Sequence, residues 1–135
     1  MDERVEIRIV SEFDEQPEGM EVRHTGSYAF RNETHCVTYE EVDPESREIV
    51  KNILKIRDNE VRHIKRGGLN SNMRFATGYE HVADYATAVG MMPMKTHTHE
   101  VTTEVTEEAI AVKLVYDLYL NDQYISKCNL TINVQ

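Results

Sequence analysis

The sequence predicts an all-β protein, an antiparallel up-and-down meander closed into a barrel of about eight to ten strands. Three observations lead there. Apolar residues alternate with polar ones at a period of two, as in Val5, Ile7 and Ile9 against Arg4, Glu6 and Arg8. Short turn-forming breaks separate one alternating run from the next. The final runs, near 110–120 and 123–134, reach roughly 40 Å at about 3.4 Å per residue, long enough to tilt around a closed barrel.

Taken in order, the first strand continues its apolar phase through Ser11 and Phe13 until Gln16-Pro17-Glu18-Gly19 breaks it. Met20 to Arg31 reads as a second strand with Gly26 marking a bulge, and Thr34 to Val42 as a third. In that third strand Val37, Tyr39 and Glu41 share one face, and Cys36, Thr38 and Glu40 the other. Two readings compete over the next segment. Asp43-Pro44-Glu45 resembles an N-cap with proline at the first helical position, and Ile49, Val50, Ile53 and Leu54 recur at helical spacing. The alternative is a strand through Leu54 and Ile56, an Asp58-Asn59 turn, and a return strand through Val61 and Ile64.

Beyond Gly67-Gly68, Ser71, Met73 and Phe75 alternate with Asn72, Arg74 and Ala76 until Gly78 stops the run. A short strand from Glu80 to Thr87 follows. Met92, Met94, Thr96 and Thr98 then alternate with Pro93, Lys95, His97 and His99, and Glu107-Glu108 offers a tight turn. Ile110, Val112, Leu114, Tyr116, Leu118 and Leu120 form one face of the next strand. Asn121-Asp122 turns the chain, and Leu130, Ile132 and Val134 face inward from the last strand. No repeat or linker divides residues 1–135, which read as a single β-barrel domain.

A chain of 135 residues with 40% hydrophobic and 29% charged residues can bury a core without disulfide or metal staples. No apolar run is long enough to cross a bilayer as a helix, and the charged N-terminus lacks the layout of a signal peptide, so a cytoplasmic location and no membrane association are expected. Cys36 and Cys128 stand far apart and in no ligand-like cluster, which argues against a structural disulfide. Fifteen basic against twenty-four acidic residues give a net charge of −9, which argues against nucleic acid as a partner. The dense basic run Arg62-His63-Ile64-Lys65-Arg66 would be split by a strand between its two faces. The oligomeric state stays open.

Tyr39-x-Glu41, Gly67-x-x-x-Ser71-x-Met73-x-Phe75, Tyr85-x-Thr87-x-x-Gly90 with Met94 and Thr98, and Tyr116-x-Leu118 with Asn129-x-x-Ile132 together resemble the YwiB-like family of small bacterial proteins. The resemblance covers almost the whole chain from Val5, and it rests on the order and spacing of these residues together. It implies a calycin-like barrel, as in lipocalins and fatty-acid-binding proteins, and no established activity. It also favours an extended conformation for residues 45 to 57, although the cap-like Asp43-Pro44 departs from the family pattern and leaves room for a helical turn near 44–50.

If Tyr39 and Met73 point into the barrel, alternation carries Glu41 and Lys65 to the same interior side. There they form either an internal ion pair that fixes register or an anchor for a ligand. Ser71, Tyr85, Thr87, Thr98 and Tyr116 add hydroxyls to the same interior. The leading expectation is a non-catalytic barrel that binds one small amphipathic or anionic molecule, lined by Glu41, Lys65, Ser71, Met73, Tyr85 and Thr98. A filled barrel acting through its outer surface as an interaction or assembly module is the alternative, and an enzyme a more distant third. No nucleophile elbow, P-loop or placeable catalytic triad occurs, and no cofactor is expected. His97 and His99 share a strand face, but it is polar and offers no third ligand, so no metal is expected.

Overall fold

The computed structural model describes residues 1–14, 16–67, 70–87 and 90–135, the side chains of residues 16–17 and 85–87 excepted. Its strands are β1 (Arg4–Phe13), β2 (Gln16–Arg31), β3 (Thr34–Val42), β4 (Ile49–Arg57), β5 (Glu60–Gly67), β6 (Ser71–Ala76), β7 (Glu80–Thr87), β8 (Gly90–Val105), β9 (Ile110–Leu120) and β10 (Gln123–Val134). They form one antiparallel sheet in the order β6-β5-β4-β3-β2-β1-β10-β9-β8-β7. The first and last strands pair, with Ile7 opposite Val134 and Phe13 opposite Cys128. The seam falls between the consecutive strands β6 and β7. There the Tyr79 N–H donates to Ala76 O at 2.9 Å. Gly78 N–H donates to Thr98 O at 2.8 Å and Thr98 N–H to Tyr79 O at 3.0 Å, so the connecting turn bonds to β8 and the barrel is nearly closed.

Residues 49–57 are extended, and the physical reason lies in the burial of alternate positions. Val50, Asn52, Leu54 and Ile56 are all buried on the inward face, while Ile49 points out and is 59% exposed. A helix would have put Ile49 and Val50 on one side and given up that inward row. The cap chemistry of Asp43 is real but local: its Oδ1 accepts from the N–H groups of Glu45 at 2.8 Å and Ser46 at 3.1 Å. Arg47, at a φ of 61°, then ends the single turn and returns the chain to β4.

Two expectations about glycine are corrected. Gln16-Pro17-Glu18-Gly19 lies inside β2 and not between strands: Phe13 pairs with Gln16 and Ser11 with Met20, leaving Pro17 to Gly19 as the irregular stretch of the ladder. Pro17 lacks a ladder donor and Gly19 has a φ of +75°, so the cluster shapes a bulge. At Gly26 the register with β1 is continuous, and no bulge occurs. The reason for glycine there is close approach, because a Cβ would stand 2.2 Å from the Thr38 carbonyl oxygen.

The interior is divided. Val5, Ile7, Val37, Leu54, Ile56, Val61, Phe75, Val101, Ile110, Val112, Leu114, Ile132 and Val134 pack with Tyr39 into one hydrophobic core, closed by Met1, Tyr28, Met73 and Tyr116. Fully burying each large side chain stabilises the fold by about 1.5–3 kcal/mol. Elsewhere the inward positions become polar or partly exposed. They include Glu41, Asn52, His63, Lys65 and Ser71 on β3 to β6, and Thr96, Leu118 and Ser126 on β8 to β10.

Candidate functional site

Cross-strand register assembles the polar part of the interior. Tyr39 lies opposite Asn52, Asn52 opposite Lys65, and Lys65 opposite Ser71. The neighbouring row runs Val37, Leu54, His63 and Met73. On the other side of the Asn52 row, Glu41 lies opposite Val50 and Val50 opposite Gly67. Gly67 has no side chain and a φ of +123°, and a Cβ there would come within 2.3 Å of the Ile49 carbonyl. Glu41 therefore reaches diagonally to Asn52 and Lys65.

The hydrogen bonds form a chain with one consistent polarity. Lys65 Nζ donates to Glu41 Oε1 at 3.1 Å, and Asn52 Nδ2 donates to the same oxygen at 2.9 Å. With its amide nitrogen committed to the carboxylate, Asn52 presents Oδ1 to His63 Nε2 at 2.8 Å. That contact requires the proton on His63 Nε2. His24 stacks on Tyr39 with ring centroids 4.5 Å apart, above the same cluster.

Burial drives the His63 ring down to about 4, with the Lys65 charge adding to the effect and Glu41 opposing it, so the ring is neutral at pH 7. Burial would raise the Glu41 carboxyl, but the Asn52 and Lys65 hydrogen bonds, the Lys65 charge and His24 outweigh it and hold Glu41 below its ordinary value. Burial, helped by Glu41, raises Tyr39, which stays a neutral phenol. The ion pair is not sealed: the Glu41 and Lys65 side chains are 35% and 27% exposed. Lys65 has two further N–H donors, and Glu41 Oε2 accepts no hydrogen bond among the described residues.

A second polar group lines the interior on β7 and β8. His81 lies opposite Thr96 and therefore shares its inward face, as does Thr98 two residues on. Thr96 and Thr98 are 1% and 0% exposed. Their hydroxyls and His81 Nε2 are enclosed and have no hydrogen-bond partner among the described residues. Opposite Thr98 on β9, Tyr116 packs its ring 4.9 Å from Phe75, and burial, then Cys128, raises its phenol.

Of the expected lining residues, Glu41 and Lys65 are in contact, Ser71 flanks Lys65, Met73 packs against the core, and Thr98 is buried on the other wall. The backbone of Tyr85 pairs with Met92 in β7, but its side chain lies outside the described residues. Sequence reasoning missed Asn52 and His63. The signal for Asn52 was present, since it is the polar member of the inward row Val50, Leu54 and Ile56. His63 stands two residues before Lys65 and so shares its face, while Arg62 and Arg66 point outward.

His97 and His99 project from the outer wall. His99 Nε2 meets Asp117 Oδ2 at 2.7 Å, His97 Nδ1 is 3.5 Å from Glu80 Oε1, and the two rings make an edge contact at 4.9 Å. Among the described residues no group of three or more His, Cys, Asp or Glu side chains is disposed to hold a metal ion.

The chain has clear relatives. The family described as a domain of unknown function (DUF1934) matches residues 5–132. The uncharacterized beta-barrel protein YwiB of Bacillus subtilis (strain 168) is 31% identical over 130 residues, which cover 96% of this chain and 89% of that one. The crystal structure of the ywiB protein superposes with a TM-score of 0.79 at 27% identity, covering 98% of this chain and 89% of the other.

Proposed function

Since this chain belongs to the DUF1934 family, a domain of unknown function, its role has to be read from its own side chains, and we propose that it binds one small amphipathic or anionic molecule in the barrel interior. The observation that carries this reading is the enclosed pair of hydroxyls on Thr96 and Thr98, which with His81 Nε2 have no partner among the described residues. Buried polar atoms are almost always hydrogen-bonded, so these three call for a partner from outside the described residues, which a bound molecule or an ordered water can supply. Lys65 and Glu41, about a third open to solvent, offer an anionic or hydroxyl-bearing head group a cation and an acceptor side by side. Ser71 adds a hydroxyl beside them, and Met73 supplies adaptable apolar surface for the body of the ligand. Thr98 completes the proposed lining among the described residues. The resemblance in architecture to calycin-like barrels, which hold small ligands in their interiors, supports the reading by analogy.

A second reading, an interaction or assembly module working through the outer wall, is favoured by Val42 and Ile49, which lie opposite each other and are 63% and 59% exposed. Native mass spectrometry of protein purified from its own host separates the two. The interior reading expects a small-molecule adduct that Lys65→Met loses while circular dichroism shows an intact barrel. A bare chain mass, or a stoichiometric protein partner with no small adduct, would replace it with the second reading.

A further inference from the structure

We propose that the outer wall of β2 to β5 carries a second binding site, independent of the barrel interior, for a small phosphorylated molecule. Lys55 lies opposite Cys36 on one side and Arg62 on the other, and Arg62 lies opposite Arg74. Three cations thus occupy one cross-strand row, where directly opposed like charges repel. Such a row stands out in a chain whose net charge is −9.

The chain neutralises only part of it. Glu60 Oε1 lies 2.7 Å from Arg74 and 3.8 Å from Arg62. Arg31, Lys55 and Arg57 take part in no ion pair among the described residues. Arg57 is nonetheless held in place: its Nε donates to Thr34 Oγ1 at 2.7 Å and its Nη2 to Asn32 O at 3.4 Å. Thr34 is itself buried, so the guanidinium is fixed in orientation before any ligand arrives, with Nη1 uncommitted.

These side chains surround a cleft of about 480 Å³, in which Arg31, Lys55, Arg57 and Arg62 stand around Cys36 and the single carboxylate Glu60. That volume suits a small molecule. Planar guanidinium forks match phosphate oxygens in pairs, and four cations around one acid call for more than one negative charge. Glu60 gives a ligand hydroxyl an acceptor, so the class is a hydroxyl-bearing organic phosphate of the nucleotide or sugar-phosphate kind. A long nucleic acid backbone fits poorly, because the basic surface is one bounded cleft on an acidic protein.

Calorimetric titration of the full chain at fixed ionic strength with ATP, inorganic tripolyphosphate, adenosine and a single-stranded RNA tests this. Both phosphate probes are expected to bind saturably and adenosine not to bind. K55Q/R62Q is expected to weaken ATP by about tenfold or more, as loss of charge-assisted hydrogen bonds implies, while Lys113→Gln, at an exposed cation on β9 far from the cleft, leaves it unchanged. Should the double variant not fold, Arg57→Gln carries the same expectation. Absence of saturable binding by ATP and tripolyphosphate at millimolar concentration, or wild-type affinity in the folded variants, would overturn the proposal. RNA binding tighter than tripolyphosphate would overturn it too, by making this face a nucleic-acid surface.

Discussion

Asn52→Leu probes the interior network at its most enclosed member. Asn52 is 0% exposed, donates to Glu41 at 2.9 Å and accepts from His63 at 2.8 Å. Leucine keeps asparagine's branched shape and is larger, so the change removes hydrogen bonds without opening a cavity. It strands the His63 N–H in a mostly buried position, which costs about 1–3 kcal/mol. Glu41 also loses a donor, but its carboxylate is 35% exposed and water can replace the bond, which limits that loss to about 1 kcal/mol or less. The added apolar side chain returns about 1 kcal/mol. The net expectation is a destabilisation of about 2 kcal/mol, or about 7 °C in Tm for a chain of this length.

His63→Leu alone strands Asn52 Oδ1 and is expected to cost a similar amount. Asn52→Leu and His63→Leu combined leave neither group unpaired, so the double variant should be more stable than the sum of the singles by about 1–2 kcal/mol. Urea unfolding followed by far-UV circular dichroism suits the assay, since the chain has no tryptophan. A change below about 0.5 kcal/mol for Asn52→Leu, or strictly additive singles, would refute the network.

The Glu41 and Lys65 pair should respond more mildly than a sealed one: with both side chains about a third exposed, Glu41→Gln and Lys65→Met are each expected to cost about 1 kcal/mol. Urea midpoints showing about 3–5 kcal/mol per single variant would mean that water does not reach the pair. Acidification is a separate test. The unfolded His63 ring takes up a proton near its ordinary value of 6.5, whereas the folded ring resists until about 4. Its contribution, roughly 3 kcal/mol, is therefore complete above pH 6.5 and is lost as pH falls towards 4, with Glu41 adding a further loss below its own ordinary value of 4.5. Urea midpoints across that range should fall in the wild type and fall much less in His63→Leu. Gly26→Ala drives a Cβ to 2.2 Å from a backbone oxygen and is expected to cost about 3 kcal/mol or to prevent folding, whereas a Cβ at Gly78 meets nothing within 4 Å and its φ of +77° alone sets a cost of about 1 kcal/mol. Equal thermal stability of the two variants would contradict the packing of β2 on β3.

What the sequence determined by itself was everything that depends on a period of two. Alternation placed Val37, Tyr39 and Glu41 on one face, carried the inward phase through Lys65 to Ser71 and Met73, and so brought Glu41 and Lys65 together across twenty-four positions. Turn chemistry did the same for the hairpins: Asn121 and Asp122 adopt φ of 50° and 63°, the left-handed pair that a tight β10 return requires. Where local signals conflicted, as with the cap at Asp43 and the helical spacing of Ile49 and Ile53, burial of the Val50, Asn52, Leu54 and Ile56 row decided the outcome. Only the tertiary structure decided which strands meet at the seam, since pairing of β1 with β10 and separation of β6 from β7 depend on contacts summed around the whole barrel. It alone joined Asn52 to His63, left the Thr96 and Thr98 hydroxyls without partners among the described residues, and lined up Lys55, Arg62 and Arg74 on the outer wall. Each of these depends on which residue stands opposite and how far its side chain reaches, and that is fixed by register between strands and not by the residues on either side in the chain.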